Sequence, residues 1–517
     1  HNILKHDIPE LEKILGTQIF QGKEFLDTLL WSPLIFSENP YHHLVKGYKI
    51  VNDSDANNPL SDCKLTKELL FDELAAFKKL DQNYQKVIGA LLSSRNEFKC
   101  FLNLGSYASS ELASVYQVRS LLENKICESV DLELLIKEKP VELAYLLSVI
   151  RLDNNESIMP YWVKHQLPEC DRIMDKLRFT NCSNSSCKYC TSKLDPKEAL
   201  LNYFGYPDFR KFDSSREISL QEDTVRAGLQ QQSFVAVFPT GGGKSLTFQL
   251  PALMRGDSTG HLSVVISPLV SLMKDQVDNL QERFQITKAV AINGLLSPLE
   301  RKEAFERVEK GSAHILYVSP ESLRSPSILR LISSRSIARF VIDEAHCFSS
   351  WGQDFRVDYL YIAEFIKKLQ SKKGNQTIPV SCFTATAKPQ VIEDITNYFQ
   401  SRLGLNLKKF ITQKGRTNLS YEVINVENPE NKQQQLLSLV RDCEKPVIIY
   451  ASRIKLVEKV ANDLNKVGLS TTFFHGKLDK DEKKKNMDSF MSDKTPIIVA
   501  TSAFGMGVDK EDVRTVI

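Results

Sequence analysis

The stretch that decides the fold class is Phe234-Val-Ala-Val-Phe-Pro-Thr-Gly-Gly-Gly-Lys-Ser-Leu-Thr-Phe248. A short apolar strand runs into three glycines and a Lys-Ser pair, and a helix-compatible segment follows. Glycines let the backbone curl so that its N–H groups face a phosphate chain, and the following helix presents its positive N-terminal end. In such a loop Lys244 reaches the β and γ phosphates and Ser245 holds Mg²⁺. The predicted nucleotide contacts are therefore Thr240, Gly241, Gly242, Gly243, Lys244 and Ser245.

A second apolar strand ends in carboxylates, in the stretch Phe340-Val-Ile-Asp-Glu-Ala-His346. At the C-terminal end of a strand, Asp343 can hold the Mg²⁺ that bridges the phosphates, and Glu344 can polarise the attacking water. His346 is placed to couple that site to its surroundings. The predicted catalytic residues are Lys244, Asp343, Glu344 and His346.

Short apolar runs alternate with helical stretches on both sides of the glycine loop. Strands buried between helices lose the alternation of polar and apolar residues, so the pattern predicts doubly wound parallel sheets. Strands are predicted at 234–238, 263–266, 314–318, 340–342 and 379–383, and again at 447–450, 470–474, 496–500 and 513–517. We expect a first α/β domain over 195–408 and a second, incomplete one over 409–517.

The segment 1–167 is predicted to form a mainly helical N-terminal domain. Apolar residues recur at spacings of three and four over 68–80, 111–123 and 141–150, as on core-facing helix surfaces. No chemistry is evident there, and docking of a protein partner or restraint of the rest of the molecule is the role we expect.

The composition excludes several classes of protein. The chain has 517 residues, of which 42% are hydrophobic and 25% charged, so it is not disordered, collagenous or a coiled coil. A net charge of +3 does not by itself indicate a polyanionic partner. Without a long apolar run or a signal peptide, a soluble intracellular protein of the cytoplasm and nucleoid, or of the nucleus, is expected.

Several further stretches resemble the RecQ branch of the superfamily 2 helicases, and Asp343-Glu-Ala-His346 is similar to that superfamily's DEAH box. Ala199-Leu-Leu-Asn-Tyr-Phe-Gly-Tyr-Pro-Asp-Phe-Arg210 resembles the entry motif, and Gln221 stands at the family's spacing before Lys244. Cys347-Phe-Ser-Ser-Trp-Gly-Gln-Asp-Phe-Arg356 resembles the aromatic-rich loop of this branch. Motifs Ia, Ib, III, IV and V are matched by Ser267-Pro-Leu-Val-Ser-Leu-Met-Lys-Asp-Gln-Val277, Leu316-Tyr-Val-Ser-Pro-Glu-Ser-Leu323, Phe383-Thr-Ala-Thr-Ala387, residues 447–453 and residues 499–509.

The resemblance implies tandem RecA-like motor domains that use ATP and Mg²⁺ to move 3′ to 5′ along single-stranded or forked DNA. Tyr206 and Arg210 would pack on adenine, Gln221 would read its edge, and Gly505 and Asp509 would complete the nucleotide site. The implied DNA-binding and coupling residues are Ser267, Lys274, Ser319, Trp351, Phe355, Arg356, Thr384, Thr386, Ser452, Arg453 and Thr501. An RNA-directed motor and a nucleotide-gated adaptor that recruits partners remain alternatives.

Three departures from the family pattern bear on these expectations. Residues 211–220 stand where the family has a much shorter link, so either a loop is inserted or Arg210 does not pair with the base. Gln353 replaces a histidine of the aromatic-rich loop. Motif VI, whose arginine completes the ATP site, is not in this sequence, so we expect the second domain to be truncated before it and this chain alone to hydrolyse ATP poorly.

Four cysteines crowd together over the linker 168–194, and Cys187-Lys-Tyr-Cys190 closes the group as a Cys-x-x-Cys knuckle. Clustered cysteines in an intracellular protein indicate a metal site rather than disulfides. The predicted ligands are Cys170, Cys182, Cys187 and Cys190, holding Zn²⁺ or alternatively an iron–sulfur cluster; free thiols are the third possibility. Its place suggests that it fastens the N-terminal region onto the first motor domain.

Overall fold

The structure is a computed structural model that describes residues 8–15, 24–38, 59–152, 158–211, 219–239, 241–294, 296–349, 356–372, 376–385, 388–411, 419–426, 428–504, 510 and 512–517. It comprises two compact units. The first contains His1–Pro268 and Leu280–Gln413, and the second contains Leu269–Asn279 and Lys414–Ile517.

The N-terminal part of the first unit is helical, as predicted. Apolar residues at helical spacing converge on one core, in which the Trp31 ring stacks on Phe101 with centroids 4.0 Å apart and meets Phe77 edge-on at 5.7 Å. The helices are α1 (Ile8–Leu15), α2 (Thr28–Ile35), α3 (Pro59–Lys79), α4 (Gln82–Leu92), α5 (Asn96–Gly105), α6 (Val115–Leu121), α7 (Leu132–Glu138), α8 (Pro140–Ile150), α9 (Tyr161–Gln166), α10 (Cys170–Arg178) and α11 (Lys188–Lys193).

The chain then alternates between helices and strands up to residue 411. Short 3₁₀ helices span Glu321–Arg324, Ala345–Phe348 and Val357–Tyr361. The helices are α12 (Pro196–Phe204), α13 (Leu220–Leu229), α14 (Lys244–Thr259), α15 (Val270–Phe284), α16 (Pro298–Lys310), α17 (Pro326–Ser333), α18 (Ile362–Lys372) and α19 (Pro389–Leu403). The strands are β1 (Phe234–Val237), β2 (Leu262–Ile266), β3 (Ala289–Ile292), β4 (Ile315–Val318), β5 (Ile337–Ile342), β6 (Val380–Thr384) and β7 (Lys408–Ile411).

These seven strands form one parallel sheet in the order β3-β4-β2-β5-β6-β1-β7. The predicted buried parallel sheet is confirmed. The strand pattern had missed β3 and β7, the two edge strands; β7 is exposed at Lys408 and Lys409 and so lacks the continuous apolar run that marks the central strands.

The second unit contains a smaller parallel sheet, in the order β11-β8-β10-β9. It confirms the second α/β domain that the strand pattern predicts. A short 3₁₀ helix spans Ser502–Phe504. The elements are α20 (Pro429–Asp442), β8 (Val447–Tyr450), α21 (Ile454–Lys466), β9 (Thr471–Phe474), α22 (Lys480–Met491), β10 (Ile497–Ala500) and β11 (Thr515–Val516).

The helical N-terminal part packs directly on the first α/β sheet domain within the first unit. Lys164 Nζ donates a hydrogen bond to Ser336 Oγ at 2.8 Å, and Ser336 Oγ donates to Asp171 Oδ2 at 2.7 Å. A polar chain therefore crosses the interface. In the part of the chain that the structure describes, no helix is both long enough and apolar enough to span a bilayer.

Candidate nucleotide site and cysteine centre

The glycine loop joins β1 to α14 at the carboxyl end of the sheet. Gly243 is the N-cap of α14 and has a left-handed backbone with φ of 71°. A Cβ atom on Gly243 would press against Gln221 Nε2, and the left-handed backbone strains any other residue there. The N-terminal end of α14 thus carries no capping side chain of its own at Gly243, which suits it to bind a phosphate group.

Lys244, the first residue of α14, lies against the carboxylates that follow β5. Its Nζ atom is 2.8 Å from Asp343 Oδ1 and 2.7 Å from Glu344 Oε1. Burial lowers the pKa of Lys244, but the two neighbouring carboxylates outweigh it and raise that pKa above its ordinary value. The structure therefore brings together three of the four predicted catalytic residues.

The fourth predicted catalytic residue connects this cluster to the next strand. His346 Nδ1 lies 3.3 Å from Glu344 Oε2 and 3.2 Å from Thr384 Oγ1, at the end of β6. Hydrogen bonds with Cys347 and Glu344 raise the pKa of His346 to about 9. Burial by itself would raise the pKa of Glu344, but the hydrogen bond from His346 and the charge of Lys244 lower it to about 2. At neutral pH the pair is ionised.

Glu344 also has an unusual backbone. Its φ of 48° is in the left-handed region, which non-glycine residues adopt at a cost of the order of 1 kcal/mol or more. Glu344 in this conformation is the N-cap of the short 3₁₀ helix Ala345–Phe348.

The residues expected to recognise adenine lie beside the same loop. Arg210 donates a backbone hydrogen bond to Gln221 Oε1 at 2.9 Å, and its Nη1 atom donates to the Gly241 carbonyl at 2.8 Å. Gln221 Nε2 donates to the Gly243 carbonyl at 3.3 Å. The long link 211–220 therefore does not separate Arg210 from Gln221. Tyr206 packs edge-on against Phe284, with ring centroids 6.1 Å apart.

Four of the predicted DNA-coupling residues in the first unit gather along this edge of the sheet. Ser267 follows β2 and Ser319 follows β4; both are almost fully buried, and the Ser267 amide donates to the Val318 carbonyl at 3.1 Å. Arg356 Nη1 donates to the Pro268 carbonyl at 3.0 Å. Thr384, the fourth of these residues, ends β6 and contacts His346. Within the described residues, the Ser267 hydroxyl has no hydrogen-bond partner.

The remaining DNA candidates belong to the second unit or lie outside the described residues. Lys274, Ser452 and Arg453 are exposed, and the Thr501 amide donates to the Phe474 carbonyl at 3.1 Å. Ser452, Arg453 and Thr501 follow the neighbouring strands β8 and β10. The predicted residues outside the described part of the chain are Thr240, Trp351, Phe355, Thr386, Gly505 and Asp509.

The cysteine centre differs from the predicted ligand set. The Sγ atoms of Cys127, Cys182, Cys187 and Cys190 all lie within 4.8 Å of one another, so these four residues could hold a metal ion. Cys182 Sγ and Cys190 Sγ are 3.6 Å apart. The prediction of Cys170 as a ligand is wrong, because its side chain is buried in the core of the helical domain with Ile173 and Leu177.

Cys127 was missed because nothing in the linear spacing indicates it. Its backbone N–H donates to the Leu177 carbonyl at 2.9 Å, which brings the loop after α6 to the end of α10. The signal is a tertiary contact between residues far apart in sequence. The backbone N–H of Glu128 donates to Cys187 Sγ at 3.5 Å.

The chain is also similar to known helicases. The chain matches the DEAD/DEAH box helicase family over residues 218–395 and the helicase conserved C-terminal domain over residues 431–517. It is 34% identical over 322 residues to the probable ATP-dependent DNA helicase RecS of Bacillus subtilis. This alignment covers 62% of this chain and 60% of that protein. The ATP-dependent DNA helicase RecQ of Bacillus subtilis is also 34% identical over 322 residues, covering 62% of this chain and 50% of that protein.

The chain therefore spans three fifths or less of the length of these two curated relatives. Among solved structures, the DUF1998 helicase MrfA bound to DNA and AMPPNP matches with a TM-score of 0.48 and 17% identity, over 62% of this chain and 45% of that one.

Proposed function

Since the chain is a RecQ-like superfamily 2 helicase, we propose that it couples ATP hydrolysis to 3′-to-5′ movement along single-stranded DNA. The observation that carries the proposal is the contact of Lys244 with both Asp343 and Glu344 at the carboxyl ends of β1 and β5. The relatives that match it are named as ATP-dependent DNA helicases. Because the chain covers only part of their length, its activity and substrate are inferences of ours.

In the proposed hydrolysis, ATP phosphates enter the loop 240–245 and take Lys244 away from the carboxylates. Glu344, ionised at neutral pH, is then free to accept a proton from the attacking water. The Ser245 hydroxyl and the Asp343 carboxylate are oxygen donors of the kind that Mg²⁺ prefers, and they would hold the ion that neutralises phosphate charge. Arg210, Gln221 and Tyr206 would hold the adenine.

The same geometry suggests how hydrolysis is linked to DNA. His346 contacts Glu344 on one side and Thr384 on the other, so a change at the water-activating carboxylate reaches β6 directly. Ser267, Ser319 and Arg356 share that edge of the sheet, and hydroxyls, amides and guanidinium groups grip phosphates without reading bases. The same task falls to Lys274, Ser452, Arg453 and Thr501 in the second unit, with Trp351 and Phe355 stacking on bases.

The test is the ATPase and strand-separation activity of the full-length protein with single-stranded DNA, forked DNA or RNA. Lys244→Ala and Glu344→Gln should each reduce DNA-stimulated ATP hydrolysis by roughly 100-fold or more, because one removes the phosphate cation and the other the base. The exposed Lys302→Ala serves as the control. Activity equal to wild type in both active-site variants would rule out a motor and leave a nucleotide-gated adaptor; stimulation by RNA alone would make RNA the substrate.

For the cysteine centre we propose zinc as the ion. Four thiolates at about 2.3 Å from one tetrahedral ion stand roughly 3.8 Å apart, and the Cys182–Cys190 separation of 3.6 Å fits that value. An iron–sulfur cluster distributes its thiolates over several iron atoms and would spread them further. In metal analysis and absorption spectra, Cys127→Ala should lose the ion and Cys170→Ala should keep it. A visible iron–sulfur absorption band would refute zinc.

A further inference from the structure

Helix α14 has contacts of different kinds at its two ends. It begins at the phosphate loop with Lys244, and its last turns lie against the helical N-terminal domain. There Arg255, only 5% exposed, places Nη2 2.7 Å from both carboxylate oxygens of Asp175. The Arg255 guanidinium also stacks over the ring of Phe179 at 4.2 Å. Both partners belong to the end of α10, so one arginine joins the two domains.

The end of α10 is held in turn by the cysteine centre. The Cys127 amide donates to the Leu177 carbonyl at 2.9 Å, and the Tyr189 hydroxyl donates to the Arg178 carbonyl at 2.9 Å. Phe179 packs against the apolar cluster formed by Cys127, Cys187 and Tyr189. The ring that carries Arg255 on one side therefore rests on the cysteine centre.

The segments that supply the four thiolates have little structure of their own. Cys127 lies in a loop, Cys182 lies in another, Cys187 is the N-cap of the six-residue helix α11, and Cys190 lies within that helix. Such short segments bury too little apolar surface to hold a fixed arrangement without a cross-link or an ion. Only two residues, Leu194 and Asp195, separate α11 from α12 of the sheet domain.

We propose that the four-thiolate centre is the joint that fixes the N-terminal domain onto α14, through Phe179 and Arg255. The proposal rests on the zinc ion inferred above. Binding of the ion orders the end of α10, which positions Asp175 and Phe179 for Arg255. Removing the ion releases the far end of α14, while the central strands of the sheet keep their hydrogen bonds.

The experiment is hydrogen exchange of the intact protein, followed by mass spectrometry, before and after zinc is removed with a chelator. Amides in 170–194 and in the last turns of α14, residues 252–260, should exchange roughly tenfold faster or more without zinc. Amides of β1 and β6 should keep their protection. Faster exchange confined to the segment around Cys182–Cys190, with α14 unchanged, would overturn the joint.

Two variants separate the joint from the ion. Asp175→Asn should keep its zinc and still loosen residues 252–260, whereas Cys127→Ala should lose zinc and loosen both regions. Cys63→Ser, an exposed cysteine, should change neither. Protein that neither contains nor binds zinc would overturn the ion and the joint with it. Zinc-bound protein whose α14 does not respond to chelation or to Asp175→Asn would overturn the joint and leave zinc and the ATPase standing.

Discussion

At the scale of single residues, two buried carboxyl groups differ in their protonation state, because burial and neighbouring charges together shift their pKa values in opposite directions. Glu344 is paired with Lys244 and His346, and its pKa falls to about 2. Glu73, in α3, is fully buried, and neither of its carboxyl oxygens has a hydrogen-bond partner among the described residues. Burial and then the charge of Asp27 raise the pKa of Glu73 to about 9. The first carboxylate is kept charged by its cationic neighbours, and the second is kept neutral by its surroundings.

Glu73 predicts a pH dependence of stability. Its folded pKa lies above its unfolded value, so the stability it permits is complete below about pH 4.5 and is lost as the pH rises toward 9. Glu73→Gln removes the need to bind a proton. At pH 8 the free energy of unfolding of the variant should exceed that of wild type by on the order of 3 kcal/mol.

Chemical denaturation at pH 5 and at pH 8 measures this effect. The two proteins should be much closer in stability at pH 5 than at pH 8. Asp72→Asn, an exposed neighbour on the same helix, is the control and should behave as wild type. An equal difference between Glu73→Gln and wild type at both pH values would contradict the assignment.

At the scale of elements, the strand-loop-helix unit at 234–259 shows what local sequence determines. The apolar strand, the glycines and the Lys-Ser pair are contiguous, so β1, the loop and α14 could all be predicted from sequence. The contacts of Gln221 and Arg210 with the loop carbonyls could not be derived from sequence spacing, because the long link 211–220 separates these two residues along the chain. The edge strand β7 was missed because Lys408 and Lys409 are exposed and interrupt its apolar pattern, and β3 was missed because its four residues, two of them alanine, carry little pattern.

Gly243 predicts an element-scale effect on nucleotide binding. Gly243→Ala would strain a backbone with φ of 71° and press a methyl group onto Gln221 Nε2. Both displace the loop amides, so affinity for a labelled ATP analogue should fall by roughly tenfold or more. Gly404→Ala is the matched control, because Gly404 has φ of 68° and open space around it. That control should lose about 1 kcal/mol of stability and keep wild-type affinity.

If Gly243→Ala and Gly404→Ala weaken nucleotide binding equally, the effect is not specific to the loop at Gly243. Titration of the analogue by fluorescence anisotropy, at matched folded fractions, decides between the two readings.

At the scale of the whole molecule, the interface within the first unit could not be foreseen. The helical pattern predicts a domain, but the polar residues that join it to the sheet domain lie far apart in sequence: Lys164, Asp171, His261 and Ser336. Cys127 escaped prediction for the same reason. Local motifs identify a nucleotide site because its residues are contiguous or follow strands; interfaces and metal sites assembled from distant loops carry no such signal.

The charge of Asp171 is expected to stabilise this interface. Burial alone would raise the pKa of Asp171, but the charge of Lys164 and the hydrogen bonds with His261 and Ser336 lower it below its ordinary value. Its contribution is therefore complete at neutral pH and is lost only as the pH falls below the ordinary carboxyl range. Asp171→Asn leaves Lys164 without its charge partner and should destabilise the first unit by about 2 kcal/mol.

Thermal unfolding, with hydrogen exchange as the readout, tests this expectation. In Asp171→Asn, α9 and α10 should lose protection at a lower temperature than the sheet, whereas in wild type they should unfold together with it. Glu306→Gln, which removes only the exposed helix ion pairs with Lys302 and Lys310, is the control and should shift stability by a few tenths of a kcal/mol. Joint unfolding in Asp171→Asn would show that the polar chain does not hold the interface.

The order of the cysteine ligands along the chain has a consequence for biosynthesis. Cys127, Cys182, Cys187 and Cys190 all precede β1, so the ribosome releases the complete ligand set before any of the described strands exists. Domains fold from the N-terminus as they emerge. The helical domain can therefore fold and take up its ion first, and the finished end of α10 then offers Arg255 a surface on which the nascent α14 settles.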